Sequence, residues 1–182
     1  LYNRMIRIKD KSFILSITDE TIQEKVKTVA QNISHDFCGE QPVMICILNG
    51  AFMFAADLVR YLTIQPDIIF AKFASYEGTD TTGNVKELIG VNADLKGRKV
   101  IIVEDIVDTG TTLKHIQKEL QGRGAIEVKT ASLLVKPGKL KEDVKVDYCA
   151  MEIPDDFIVG YGMDYDGLGR NLKDIYTVEE DQ

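Results

Sequence analysis

A chain of 182 residues, 45% apolar and 28% charged, has room for one domain with a substantial core and the composition of an ordinary globular protein. Its formal charge of −7 argues against sequence-independent nucleic-acid binding, which relies on Lys/Arg patches, yet leaves open a phosphate ligand held by local loops. No apolar run approaches the roughly 18–20 residues of a membrane span, and Leu1–Arg7 lacks the apolar centre of a signal peptide, so the expectations are no membrane, no nucleic acid and a cytoplasmic location.

Residues 5–16 mix apolar and charged positions, compatible with short strands or an arm. Ser16, Thr18 and Asp19 are capping candidates. Behind them Ile22, Val26, Val29, Ala30, Ile33 and Phe37 recur three or four apart, which predicts an amphipathic helix over 19–37, ended by Gly39 and Pro42. Pro42–Leu48 reads as a buried strand, Asn49-Gly50-Ala51 as a tight turn, and Phe52–Leu62 as a helix. Asp67–Phe73 is another strand. Ser75–Asn84 is polar and glycine-rich with no apolar period, and reads as a mobile loop. Loops of that length inside a domain are usually functional or disordered. Glu87–Val91 resumes strand character.

Val100–Val103 are four β-branched apolar residues in a row, which fits a strand buried on both faces. Glu104 and Asp105 then place two carboxylates where that strand is expected to end. Asp108-Thr109-Gly110-Thr111-Thr112 follows, and Leu113, Ile116 and Leu120 recur at helical spacing. Such a loop offers backbone N–H groups, threonine hydroxyls and the positive end of a helix dipole, which together bind phosphate. Gly110 lets the backbone approach a ligand. Acids and threonines also cap helices, but capping alone has no need of Glu104, Asp105 and Asp108 together. An apolar strand ending in acids also looks like the second element of a nucleotide hydrolase. That site needs G-x-x-x-x-G-K-[ST] elsewhere, and the chain has none, nor a G-x-G-x-x-G.

Gly122-Arg123-Gly124 then caps the helix. Glu127–Val135 reads as the next parallel strand, broken by Lys136-Pro137-Gly138, with Lys136 on the same edge as Glu104 and Asp108. Val144–Ile153 and Phe157–Tyr161 are further apolar segments on either side of Pro154-Asp155-Asp156. Gly162–Arg170 is a glycine- and acid-rich loop, and Ile175–Val178 a last strand. Cys38, Cys46 and Cys149 are odd in number, fit no metal spacing and read as buried or free thiols. His35 and His115 receive no role.

The run Val100–Leu113 resembles the 5-phosphoribosyl-1-diphosphate (PRPP) signature of type I phosphoribosyltransferases. Leu48-Asn49-Gly50, Ser75-Tyr76, Ser132–Lys136, Phe157–Tyr161, Asp164-Tyr165 and Arg170 stand in the order and rough spacing of that family's 6-oxopurine branch. The resemblance covers about 43–178. It implies an α/β fold of the type I phosphoribosyltransferase kind: a central, mainly parallel sheet flanked by helices, with a small hood. It also implies a single domain over 1–182, with its core at about 40–140, a hood from about 1–17 and 141–182, and a flexible lid at about 74–86.

The reaction it implies is Mg²⁺-dependent purine salvage: PRPP plus hypoxanthine or guanine gives IMP or GMP plus pyrophosphate. By the same resemblance Asp108 is the general base. Glu104 and Asp105 hold the ribose hydroxyls, and Asp108, Thr109, Gly110, Thr111 and Thr112 complete the PRPP and 5-phosphate seat. Asn49, Gly50 and Arg170 meet the pyrophosphate, with Ser75 and Tyr76 opening the lid. Asn49 stands where many relatives carry lysine, which leaves more of the binding to backbone amides. Lys136 donates to O6 of the purine, Phe157 stacks on its ring, and Ile158 contacts it through the backbone. Asp164 lies near the 2-substituent. Glu104, Asp105 and Asp164 are the Mg²⁺ candidates. A lysine only donates, which suits a 6-oxo group and not an amino group. A transferase of the same fold for xanthine or uracil, and a non-catalytic PRPP-sensing regulator, remain alternatives. Family members usually form homodimers or homotetramers.

Overall fold

Residues 5–75 and 85–179 are described by the structure, a computed structural model. Two antiparallel strands come first, β1 (Met5–Ile8) and β2 (Lys11–Ile17). Helix α1 (Asp19–Asp36) starts where the capping candidates placed it: the Thr18 hydroxyl accepts from the Thr21 N–H at 3.4 Å. Its buried positions Ile22, Val26, Val29, Ala30 and Ile33 form one stripe. Strand β3 (Val43–Leu48), helix α2 (Phe52–Tyr61), β4 (Asp67–Ser75) and β5 (Val85–Ile89) follow. Next come β6 (Lys99–Val107), α3 (Thr111–Gly122), β7 (Glu127–Val135), a 3₁₀ turn at Pro137–Lys139, β8 (Tyr148–Glu152), β9 (Ile158–Val159) and β10 (Ile175–Val178). No helix among the described residues is long and apolar enough to cross a membrane.

The main sheet runs β5-β4-β3-β6-β7-β8, parallel throughout except for the antiparallel β4–β5 edge. Helices cover both faces, as a parallel sheet requires. Met44, Cys46, Ile101 and Val103 pack toward α1 and α2, while Val43, Ile45, Val100 and Ile102 pack toward α3. The alternation is the period of two of a strand. A second, antiparallel sheet runs β1-β2-β10-β9 and joins the two ends of the chain. It forms the small hood of the expected fold.

Two boundaries differ from the sequence reading. Strand β6 does not stop at Glu104: pairing with β7 continues through Glu104↔Ser132, Ile106↔Leu134 and Val107↔Val135. The partner strand carries an apolar run of its own and extends the ladder past the acids. Within the stretch 141–182 assigned to the hood, β8 instead joins the main sheet, paired Ala131↔Tyr148, because Tyr148 is buried among the residues packed on α1. The hood's second half begins at Ile158. Most of the lid stretch, 76–84, including Tyr76, lies outside the described residues. Ser75 is the last residue of β4, in register with Val85.

Candidate active site

The C-terminal edge of the parallel sheet is where open α/β folds bind ligands, and there the loop after β6 leads into α3. Gly110 takes a left-handed φ of +84° as the residue before the helix, and the Thr111 N–H points to the Thr109 hydroxyl at 3.4 Å. From below, the Lys141 and Glu142 N–H groups donate to the Thr109 carbonyl at 2.9 and 3.3 Å, fixing the loop. The resulting cavity of about 100 Å³ is lined by Glu104, Ile106, Val107, Asp108, Thr109, Gly110, Thr112 and Leu113. Thr111, the first helical residue, is exposed.

A second cavity of about 240 Å³ adjoins it, lined by Asp105, Ile106, Asp108, Lys136, Asp156, Phe157, Ile158, Met163 and Asp164. Main sheet and hood both contribute to its wall. Phe157 is 46% exposed and leans on buried Phe13, ring centroids 6.2 Å apart, and edge-on against Tyr165 at 5.7 Å. An aromatic face held this way suits a flat heterocycle. The Phe157 carbonyl accepts from Val178 N–H at 2.8 Å, and Ile158 pairs with Thr177, which sets β9 against the cavity.

Lys136 is 7% exposed, at the first residue past β7, with its N–H donating to Val107 O at 3.0 Å. Its ammonium donates to Asp155 Oδ1 at 3.1 Å. Lys139 reaches the same Asp155 oxygen at 3.2 Å and Asp108 Oδ2 at 3.1 Å. The other Asp108 oxygen, Oδ1, is buried with no hydrogen-bond partner among the described residues. Among the described residues Asp108 is the one acid that lines both cavities. Neither Lys139 nor Asp155 was singled out from the sequence. A charged residue in a polar stretch gives no signal until the fold brings 108, 139 and 155 together.

Glu104 and Asp105 do not act side by side. As neighbours on a strand they point to opposite faces, Glu104 into the cavity beneath the threonine loop and Asp105 into the other. Burial pushes the Glu104 carboxyl well above the usual range, and the Asp105 charge adds to it. Burial also raises Asp105, opposed by the Ile106 N–H and the Arg170 charge. Asp105 packs against the turn after β3, where a Cβ on Gly50 would meet Asp105 Oδ2 at 1.7 Å. One layer further, a Cβ on Gly162 would meet the Gly50 carbonyl at 2.1 Å. The Leu48–Asn49 peptide of this turn is cis. Arg170 closes the group: it donates to the Gly162 carbonyl at 2.8 Å and pairs with Asp164 at 3.0 Å. The second Asp164 oxygen accepts from Gly167 N–H at 2.7 Å.

Glu104, Asp105 and Asp164 are not gathered into a metal cage; no cluster of three His, Cys, Asp or Glu among the described residues could hold an ion. The donors still suit Mg²⁺, which characteristically takes one or two carboxylates and completes its shell with water and substrate phosphates. Asp105 and Asp164 face one cavity, and the Asp164 charge raises the cost of charging Asp105, a repulsion that a divalent cation relieves.

Residues 15–166 match the phosphoribosyl transferase domain family. The hypoxanthine-guanine phosphoribosyltransferase of Staphylococcus epidermidis is 40% identical over 172 residues, spanning 94% of this chain and 96% of that protein. A crystal structure of a hypoxanthine-guanine phosphoribosyltransferase from Bacillus anthracis, with HEPES in its active site, matches with a TM-score of 0.87 at 41% identity, covering 95% of this chain and 100% of that one. A hypoxanthine phosphoribosyltransferase from Staphylococcus aureus matches with a TM-score of 0.88 at 35% identity, over 98% of this chain and 94% of that one. With the family model matching residues 15–166 and these relatives 35–41% identical over more than nine-tenths of the chain, the chain belongs to the phosphoribosyltransferase family.

Proposed function

We propose that the protein is a purine-salvage transferase that moves the 5-phosphoribosyl group of PRPP onto hypoxanthine or guanine, giving IMP or GMP and pyrophosphate. The observation that carries this reading is Asp108, which lines both cavities and keeps one buried oxygen without a partner. A proton acceptor between a phosphosugar seat and a base pocket is what transfer at the sugar C1 needs. The C1–O bond to the diphosphate breaks, the C1–N9 bond forms, and the purine proton passes to Asp108 from N7.

The other roles follow the chemistry of the walls. Thr109, Gly110, Thr111 and Thr112 hold the 5-phosphate, with Glu104 beneath. Lys136 donates to O6, Phe157 stacks, and Ile158 lines the ring edge. Asn49, Gly50 and Arg170 face the pyrophosphate, where a planar guanidinium suits phosphate oxygens, and Ser75 and Tyr76 open the lid. Mg²⁺ would be met by Asp105 and Asp164, with Glu104 nearby, and would neutralise charge building on the leaving diphosphate. Exposed Ile68, Phe70, Leu88 and Ile89 at the β4–β5 edge support an assembly of copies, dimer or tetramer. Cys38, Cys46 and Cys149 are free, which supports a reducing, cytoplasmic setting.

The test is pyrophosphate release with PRPP, Mg²⁺ and each base in turn. Release with hypoxanthine or guanine supports the reading. Release only with xanthine or uracil reassigns the base. Tight PRPP binding with no release for any base points to a regulator.

A further inference from the structure

We propose that Lys139 is a positioning residue for Asp108, pinning one carboxyl oxygen so that the other faces the base, and that Asp155 ties this hold to Lys136. The proposal rests on the purine-transfer reading above and names a part of that site that the sequence left blank.

The geometry is a chain of four charges. Lys136 Nζ and Lys139 Nζ share Asp155 Oδ1 at 3.1 and 3.2 Å, and Lys139 continues to Asp108 Oδ2 at 3.1 Å. The backbone makes this arrangement local: the 3₁₀ turn at Pro137–Lys139 folds the chain back, with Lys139 N–H donating to Lys136 O at 3.1 Å. Both lysines therefore return to one edge of β7. Hydrogen bonds to Asp108 first, then to Asp155, favour the charged form of Lys139.

A carboxylate turns about a broad, nearly two-fold torsion. Fixing Oδ2 selects one orientation, and in it Oδ1 is the buried, unpartnered oxygen. Misplacement of a reacting group by about 1 Å can cost on the order of 10²-fold in rate, so a residue that only sets this torsion has kinetic weight. Asp155 adds a link. When a 6-oxo group draws Lys136 toward the cavity, Asp155 is left to Lys139, and the hold on Asp108 becomes part of base recognition. A plain surface cation is the competing reading. A direct contact with pyrophosphate is another.

The full-length wild type is first assayed with PRPP, Mg²⁺ and hypoxanthine or guanine. Absence of turnover there overturns the purine-transfer reading, and this proposal with it. With an active wild type, Lys139→Met is expected to lower kcat about 10–100-fold while KM for PRPP stays within about threefold and the Tm is unchanged. Lys139→Arg, which keeps the charge, recovers most of the loss and covers the case in which Met disturbs the turn. In an Asp108→Asn background, Lys139→Met adds little, because residues that act as a unit are not additive. Three results overturn the positioning role: wild-type kcat in Lys139→Met, full multiplicative loss in that background, or a loss carried by KM for PRPP with kcat intact.

Discussion

Asp108 Oδ2 lies 3.1 Å from Lys139 Nζ, and the partner oxygen of the same carboxyl is buried and unpaired. One oxygen is held and the other has no partner among the described residues, which is the arrangement the proposed base role needs. A buried polar atom without a partner costs on the order of 1–3 kcal/mol, so each such atom calls for a specific explanation.

Asp108→Asn keeps the shape and removes the proposed proton acceptor. The expected loss in kcat is about 10²–10⁴-fold, the range for a positioned acid or base. PRPP affinity by calorimetry should stay within about threefold, because the threonine loop is untouched. Near-normal turnover would remove Asp108 from the proton-transfer role.

Lys136→Ala should raise KM for hypoxanthine or guanine steeply, by about 10²-fold or more, with PRPP binding retained. Asp155 keeps Lys139 as a partner at 3.2 Å, so the variant should fold. Unchanged oxopurine kinetics would sink the O6 assignment.

Gly50→Ala tests the layer beneath the proposed pyrophosphate end. The new methyl would meet the Asp105 carboxylate at 1.7 Å. Either that carboxylate or the turn must shift, at an overpacking cost of roughly 1–3 kcal/mol. Expected readings are a lower Tm and a raised KM for PRPP, with KM for the base moving less. A variant with wild-type PRPP kinetics would show that Asp105 can leave the turn without consequence.

Glu104 offers a pH test whose sign is fixed. Its native pKa lies above the ordinary 4.5 because burial disfavours the anion. Between the ordinary and the raised value the native state binds more protons than the unfolded chain, so stability falls as pH rises through that window. Glu104→Gln removes the ionisation. Its Tm should exceed the wild-type Tm at neutral pH, and the two curves should converge on approaching the ordinary carboxylate range. Parallel curves across the whole range would place the pH dependence elsewhere.

Much of this was legible in the chain itself. The Val100–Leu113 run, the βα units at 42–62 and the α1 stripe all appear where periodicity put them, because each element is specified by residues close in sequence. The misplaced feature was the end of β6. Glu104 and Asp105 look like a stop, and only the pairing with Ser132–Val135 across the sheet keeps the strand going. The same distance hid Lys139. Nothing near it in sequence marks it as more than a surface charge, while its partners lie at 108 and 155. Phe13, from the N-terminal stretch that carried little of the family pattern, supports the Phe157 ring for the same reason.

The second cavity takes Asp105 and Lys136 from the main sheet and Phe157 and Ile158 from the hood, although the two sheets share no strand. A molecule seated there acts as a non-covalent staple between two separately hydrogen-bonded halves. Ligand binding then adds directly to the free energy of opening the hood. The same contacts that select a substrate thus set how tightly the two ends of the polypeptide are clasped to the rest during turnover.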